Sequence, residues 1–349
     1  MTTSVNTERW AWADIARGIA ILLVLIGHSC PPPYTTAFIY AFHMPLFFIL
    51  SGLFMKQDTP LRPLLNKRVR TLLVPFVCYN LLILFSDWCI VALSPNYHAP
   101  IDIPARLMGI VTASRSGSWA ASLWFLPALF VAQWLVIGCH RLAAGRRNLC
   151  IAMWVLLSVV GFTYCHEVGT ALPLSIDVAF VATGFLLIGS QWVRRGFEGQ
   201  ARWYWFVTAI LFVTMALDNF HTLGGGDNHV DMSTDTLGHP LEFYTAAVAG
   251  SLLLIRACQQ PAMQRSNILQ WMGRNSLAIY CIHRIPMNLG VALVNLVPRL
   301  NSPDTAAQTV RSLLLVLFTL AILVPAVFIV NRWFPWTLGK KRDCAAVES

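Results

Sequence analysis

The residues whose types and spacing suggest chemistry lie in the first long apolar stretch, residues 11–30. Asp14, Arg17 and His28 are the acidic, basic and imidazole side chains of this stretch. In a helix, Arg17 and His28 lie about 16 Å apart along the axis and within about 20° of one face. Asp14 lies one turn before Arg17, where it can pair with the guanidinium group. A titratable imidazole and a cation on one helix face suit proton transfer and anion binding.

This stretch is one of many apolar segments in the chain. Of 349 residues, 56% are hydrophobic and only 12% are charged, whereas soluble domains carry about 25% charged residues. Ten segments have the length of roughly 20 residues that a bilayer requires: residues 11–30, 37–55, 71–93, 122–140, 149–165, 173–191, 203–220, 240–257, 276–297 and 309–331. The sequence therefore predicts an all-α integral membrane protein with about ten transmembrane helices and no separate soluble domain. We expect residues 1–340 to form a single transmembrane domain and residues 341–349 a short cytoplasmic tail.

The net charge of +9 indicates orientation rather than a nucleic-acid partner. With the N-terminus in the cytoplasm, all but five of the 25 basic residues fall on the cytoplasmic side. The five exceptions are Arg106, Arg115, Arg284, Arg299 and Arg311. This asymmetry follows the positive-inside rule, and ten helices return the C-terminus to the cytoplasm. Residues 11–30 are expected to stay in place rather than be cleaved as a signal peptide, because the stretch is long, contains Asp14 and Arg17, and lacks a small-residue cleavage site.

Each of these residues also has a structural interpretation. Arg17 alone could anchor a helix end by extending its side chain to the interface, and a lone histidine within a membrane can serve packing. Ser51 beside Gly52 fits close helix packing better than a nucleophile. The segment with Asp227, His229, Asp231, Asp235 and His239 matches no metal-binding spacing, so we expect solvated surface there and no metal.

Five ordered motifs resemble the acyltransferase family 3 membrane proteins. The first is Arg17 and His28 separated by ten residues in the first helix. The others are the segments that begin His43-Met-Pro-Leu, Lys67-Arg68-Val-Arg70, Leu123-Trp124-Phe125-Leu126 and Met272-Gly273-Arg274-Asn275. Together they extend over nearly the whole chain. They are similar to the branch of sugar or exopolysaccharide O-acetylases, of the fucose 4-O-acetylase type.

The resemblance implies transfer of an acetyl or similar acyl group from cytoplasmic acetyl-CoA to a hydroxyl of a cell-surface glycan or its lipid-linked precursor. His28 would then be the general base or a nucleophile, assisted by Arg17 and Asp14. Arg17 and the basic run Lys67, Arg68 and Arg70 would hold the phosphates of coenzyme A. Acetyl-CoA would be a co-substrate, and no tightly bound cofactor is expected.

Other residues are candidates for contact with the acceptor. They are His43, Trp124, the pair His283 and Arg284, and Glu242 at a membrane edge. The expected partners are acetyl-CoA, the saccharide acceptor, the lipid bilayer and polysaccharide biosynthesis proteins, in a bacterial inner membrane. A transporter or flippase of a lipid-linked saccharide remains the alternative, although neither internal repeats nor paired broken helices are evident. A structural scaffold would not explain ionisable residues aligned within a membrane helix.

Overall fold

The computed structural model of the protein describes residues 10–55, 60–93, 101–115, 123–191 and 200–340. These residues are mostly α-helical, and the pairing of Asp231 with Thr236 is an isolated β-bridge. The helices are α1 (Ala11–Gly27), α2 (Pro33–Leu53), α3 (Leu61–Arg68), α4 (Val74–Leu93), α5 (Ile103–Thr112), α6 (Phe125–Ala143), α7 (Arg147–Glu167), α8 (Ile176–Gln191), α9 (Arg202–Thr222), α10 (Pro240–Cys258), α11 (Pro261–Gln264), α12 (Asn267–Arg274), α13 (Ser276–Ile282), α14 (Arg284–Val294) and α15 (Thr305–Trp333). A π-helical segment, Val69–Leu73, joins α3 to α4. The predicted tail, residues 341–349, lies outside the described residues.

Among the described residues, eight helical segments are long and apolar enough to cross a membrane. They are Pro33–Leu53, Leu61–Ala92, Phe125–Ala143, Arg147–Glu167, Pro173–Gln191, Arg202–Thr222, Pro240–Cys258 and Thr305–Trp333. The pair α13 and α14, bent by 48°, makes a ninth if it counts as one span. These segments confirm a multi-pass helical membrane protein. The count of ten spans stays a prediction, because α1 with 17 residues is slightly shorter than a typical span.

The helices differ in how much of their surface is buried. α2 and α8 are mostly buried inside the bundle, whereas α7, α9 and α15 expose much of their apolar surface. Exposed apolar side chains suit helices that face lipid, because lipid tails are as apolar as the side chains themselves. α2 and α8 therefore form the centre of the bundle, and α7, α9 and α15 lie at its periphery.

Two helix crossings are close enough to require glycine. A Cβ on Gly18 would overlap the Leu269 carbonyl, and a Cβ on Gly273 would overlap the Asp14 carbonyl. α1 and α12 thus meet backbone to backbone, and Gly52 makes the equivalent approach to α8. Small residues allow such contacts between membrane helices. This crossing fixes the axial position of α1, and with it the position of Arg17.

Prolines interrupt the helices near both of the predicted histidines. α1 ends before three consecutive prolines, residues 31–33, with Cys30 in the left-handed conformation (φ 55°). Pro286 cannot donate a hydrogen bond to the carbonyl of Ile282, which accounts for the bend between α13 and α14. His28 and His283 occupy these two interruptions. We call the end of the bundle where α1 begins the inner end and the opposite one the outer end, after the predicted orientation.

Candidate active site

The two interrupted helices bring His28 and His283 together at the outer end. Their rings are stacked, with centroids 5.3 Å apart and planes inclined by 25°. His283 is completely buried, whereas His28 is half-buried. Sequence analysis predicted both residues as site candidates but could not predict that they are adjacent. His28 is therefore the member of the pair that keeps part of its surface accessible.

Hydrogen bonding defines the protonation pattern of His283. Its Nδ1 lies 2.6 Å from the carbonyl oxygen of Tyr280, and because a carbonyl only accepts, Nδ1 carries the hydrogen. In the neutral ring Nε2 then carries the lone pair. Nε2 is buried and has no hydrogen-bond partner. A buried acceptor without a partner is costly, and here it can receive a proton or a hydrogen bond from a bound molecule.

Further polar groups surround the histidine pair. His43, buried in α2, donates from Nδ1 to the carbonyl of Ile39 at 2.8 Å, so its neutral ring has the same tautomer as His283. His28 interacts electrostatically with His283, Arg284 and His43. The structure thus brings three predicted histidines, His28, His43 and His283, into one cluster beside the predicted Arg284.

The segment between α9 and α10 covers part of this cluster. The ring of His229 meets the ring of Tyr40 edge-on at 4.4 Å, and Tyr40 in turn lies 4.9 Å from the ring of His43. Asp231 is close enough to Tyr40 to interact electrostatically. Burial raises the pKa of the Asp231 carboxyl above its ordinary value. Sequence analysis did not identify Tyr40, whose position in an apolar helix gives no signal.

The same segment is anchored by a buried ion cluster that sequence analysis missed. Arg115 contacts Asp177 at 2.7 Å and Asp235 at 2.7 Å, and donates to the Met232 carbonyl. The expectation of solvated surface is therefore wrong for Asp235, which is buried. The distant Arg115 neutralises its charge, and a sequence pattern cannot show such a pairing.

Trp124 belongs to a group of packed aromatic rings that extends to His283. It is buried at the start of α6 and packs against Phe48 and Phe125. Phe125 contacts the ring of Tyr280, and Tyr280 stacks on His283 at 5.8 Å. Trp124 therefore reaches the histidines through two intervening rings. This packing supports the position of His283 and does not place Trp124 beside it.

Glu242 contacts His239 rather than the histidine cluster. It lies in the first turn of α10, where Oε1 is 3.8 Å from His239 Nδ1. Its other oxygen, Oε2, is buried and makes no hydrogen bond. Its predicted role in acceptor binding stays a prediction.

The inner end contains the predicted anion-binding residues. Arg17 pairs with Asp14 at 3.3 Å, and its guanidinium lies 4.6 Å from the ring centre of Phe54 at the end of α2. Asp14 is almost completely buried, whereas the side chain of Arg17 is 28% exposed. Arg17 is thus oriented by a carboxylate and an aromatic face while it remains accessible. This arrangement is more specific than that of a side chain that only anchors a helix end.

The basic run lies at the same end, where α3 continues into the π-helical segment. Lys67 and Arg70 are exposed, and Arg68 is half-buried with its Nε unpartnered. Residues 335–340 pack beneath this segment, since Gly339 approaches the Arg70 carbonyl too closely for a Cβ. π-Helical turns often occur at functional sites. The run is therefore positioned by the fold and accessible to an anionic molecule.

The histidines of the outer end and the arginines of the inner end define the chemistry that these two sites offer. Within the described ranges, no three His, Cys, Asp or Glu side chains are grouped so as to hold a metal ion. The available chemistry is that of paired imidazoles at one end and guanidinium groups at the other. Arg17 and His28 share α1, so a molecule bound between them could contact both along one helix face.

The comparison with known protein families agrees with this architecture. The chain is a multi-pass helical membrane protein with a polar site between interrupted helices. The family model described as an acyltransferase domain, acyltransferase family 3, matches residues 10–332. The chain therefore belongs to the acyltransferase 3 family and is a membrane acyltransferase. No curated protein matches the sequence.

Proposed function

We propose that this protein transfers an acetyl group from acetyl-CoA to a hydroxyl of a cell-surface glycan or its lipid-linked precursor. It would act in a bacterial inner membrane, within the sugar O-acetylase branch of its family, as one domain over residues 1–340. The observation that carries this proposal is the stack of His28 on His283, with the buried Nε2 of His283 unpartnered. The hydroxyl of a bound molecule can donate a hydrogen bond to such a base.

His28 is the proposed general base. It accepts the proton of the acceptor hydroxyl while that oxygen attacks the thioester carbonyl carbon of acetyl-CoA. The bond between carbon and sulfur then breaks, and the thiolate of coenzyme A takes up the proton that His28 holds. If His28 is instead the nucleophile, its nitrogen carries the acetyl group before the hydroxyl takes it. Both routes require the acyl carbon to reach the end of α1.

The proposed donor site begins at the inner end. Arg17, oriented by Asp14 and Phe54, and the run Lys67, Arg68 and Arg70 supply the positive charges for the phosphates of coenzyme A. The distance of about 16 Å from Arg17 to His28 along α1 requires an extended donor. Coenzyme A has this form, because a long arm separates its phosphates from its thiol.

The proposed acceptor site lies at the outer end. His43, His283 and Arg284 surround His28 and offer hydrogen-bonding groups to a saccharide. Trp124 supports the group of packed aromatic rings that extends to His283, and Glu242 would contact a larger acceptor at the rim. Polysaccharide biosynthesis proteins would supply this acceptor.

The decisive experiment compares His28→Ala with His166→Ala in cells that carry no other copy of the protein. His166 is an exposed histidine at the end of α7 and serves as the matched control. We expect His28→Ala to abolish acetylation of the surface glycans, whereas His166→Ala leaves it unchanged. Protein amount in the membrane is measured for both variants. Wild-type acetylation in His28→Ala would refute the role of His28.

A labelling experiment separates the two catalytic routes. Purified protein is mixed with acetyl-CoA labelled in the acetyl group, without acceptor. Label retained on His28 indicates the nucleophile. Absence of label, in protein that turns over normally once an acceptor is added, indicates the base. Unchanged acetylation of the glycan in cells without the protein would contradict the proposed reaction itself.

A further inference from the structure

A cavity lies at the inner end, between α6, α7 and α8. It has a volume of about 580 Å³, and its mouth is lined by His140, Arg141, Arg146 and Arg147. Its wall is apolar and includes Trp154 and Ile188. None of the residues proposed to hold acetyl-CoA lines this cavity. The cavity is therefore separate from the proposed donor site.

The mouth of this cavity is strongly positive. Arg141, Arg146 and Arg147 are exposed, and none makes a hydrogen bond or ion pair with a side chain in the part of the chain that the structure describes. α7 also begins here, and Arg146 at its N-cap provides no side-chain cap. Free N–H groups at the start of this 21-residue helix add to the attraction for an anion. Guanidinium groups around a cavity favour phosphate in particular.

The apolar wall of the cavity continues into a long groove. This groove, between α7, α9 and α10, has a volume of about 820 Å³ and shares Trp154 and Ile188 with the cavity. Phe162, Leu211 and Leu252 are among its mostly apolar lining residues. Along α10 it extends from Pro240 to Leu252, a rise of about 18 Å. The groove therefore covers more than half of the roughly 30 Å hydrocarbon core.

We propose that the cavity and groove together bind an anionic phospholipid. Its phosphate lies among the three arginines, and one acyl chain lies in the groove. A free anion would use the positive mouth but would leave the apolar groove empty. Basic pockets between helices at the cytoplasmic surface are suited to lipid headgroups, and here an acyl-chain groove continues from the pocket. The exposed side chains of α7 and α9 place this groove at the lipid-facing surface.

Native mass spectrometry of the purified protein tests this proposal. The probes are dioleoyl phosphatidylglycerol, dioleoyl phosphatidylcholine, inorganic phosphate and coenzyme A. We expect wild-type protein to retain phosphatidylglycerol in preference to phosphatidylcholine. The double variant Arg146→Gln, Arg147→Gln should lose about 30-fold in phosphatidylglycerol affinity, as two cationic contacts with a headgroup contribute. The double variant should keep α7 intact, because a neutral glutamine at the start of the helix does not oppose the helix dipole.

The matched control removes the same charge elsewhere at the inner end. Arg265→Gln, Arg332→Gln changes two exposed arginines that do not line the cavity, and it should bind phosphatidylglycerol as the wild type does. A further variant, Val159→Trp, fills the groove at a side chain that is 56% exposed. It should weaken binding of the dioleoyl lipid and leave binding of short-chain dihexanoyl phosphatidylglycerol unchanged.

Three results would overturn the proposal. One is equal phosphatidylglycerol binding by the Arg146, Arg147 double variant and by the wild type. Another is release of the lipid by inorganic phosphate, which would indicate a site for a free anion. The third is release of the lipid by coenzyme A, which would assign these arginines to the donor. Lipid binding is measured without turnover, so it is independent of the proposed reaction.

Discussion

The unpartnered Nε2 of His283 leads to a specific prediction for His283→Asn. The amide nitrogen of asparagine occupies nearly the position of Nδ1 and can still donate to the Tyr280 carbonyl. The substitution therefore keeps the local hydrogen bond and removes Nε2 together with the adjacent Cε1. The variant should fold normally, because the hydrogen bond that contributes about 1 kcal/mol is retained.

The distance between the two rings bears on how many protons the pair can hold. At 5.3 Å and an effective dielectric constant of about 20, two protonated imidazoles repel by about 3 kcal/mol. Protonation of both rings at once is therefore disfavoured, and His28 takes up a proton more readily beside a neutral His283. We expect His283→Asn to lower kcat by about 10²-fold, at the lower end of the range for a group that assists proton transfer. The KM for acetyl-CoA should change little, because the proposed donor contacts lie at the other end of α1.

The assay measures release of coenzyme A by purified protein with a saturating acceptor. His283→Ala is the comparison, because it leaves the Tyr280 carbonyl unsatisfied and should lower thermal stability as well as kcat. His283→Gln places an amide near the position of Nε2 and should recover part of the activity if His283 accepts only a hydrogen bond. If His283→Asn keeps kcat within threefold of the wild type, Nε2 takes no part in the reaction.

Three other predictions follow from the contacts. Arg17→Ala should raise the KM for acetyl-CoA about tenfold or more, and Arg17→Lys should raise it less. Arg202→Ala removes an inner-end arginine outside the site and should leave the KM unchanged. Equal KM values in all three variants would refute donor binding by Arg17. Arg115→Met leaves two buried carboxylates unneutralised and should lower stability by about 3–5 kcal/mol, seen as a lower melting temperature in detergent; an unchanged value would contradict the anchoring role. Burial raises the pKa of Asp231, so the folded state loses stability as pH rises above about 4. Asp231→Asn should therefore have a higher melting temperature than the wild type at pH 7 but not at pH 3.5. An equal difference at both pH values would argue against titration of this group.

The sequence was sufficient to predict what depends on local pattern. The spacing of Arg17 and His28 placed both on one helix face because helical periodicity is a property of the backbone. The apolar segments predicted membrane helices because the thickness of the bilayer fixes their length. His283 and Arg284 were predicted as candidates because polar residues within membrane segments are costly. These inferences needed no knowledge of which helices are neighbours.

Other features depend on contacts between distant residues. The stacking of His28 on His283 joins two histidines separated by most of the chain, and no local pattern encodes it. Asp235 appeared to be solvated surface because its counter-charge, Arg115, is equally remote in sequence. The bend before α14 was accessible in principle, since Pro286 lies within an apolar segment, but its consequence for His283 requires the direction of the bend.

The position of the candidate site follows from where the two helices are interrupted. In a bilayer, non-helical backbone is tolerated where protein or a polar cavity surrounds it, and the ends of α1 and α13 both lie inside the bundle, where His28 stacks on His283. The prolines that end α1 and bend α13 away from α14 therefore also bring the two imidazoles together. The tight crossing of α1 on α12 then fixes where Arg17 and His28, whose separation is set by the rise of α1, lie relative to the rest of the bundle. Packing at the inner end consequently determines the geometry of both ends of the proposed reaction path.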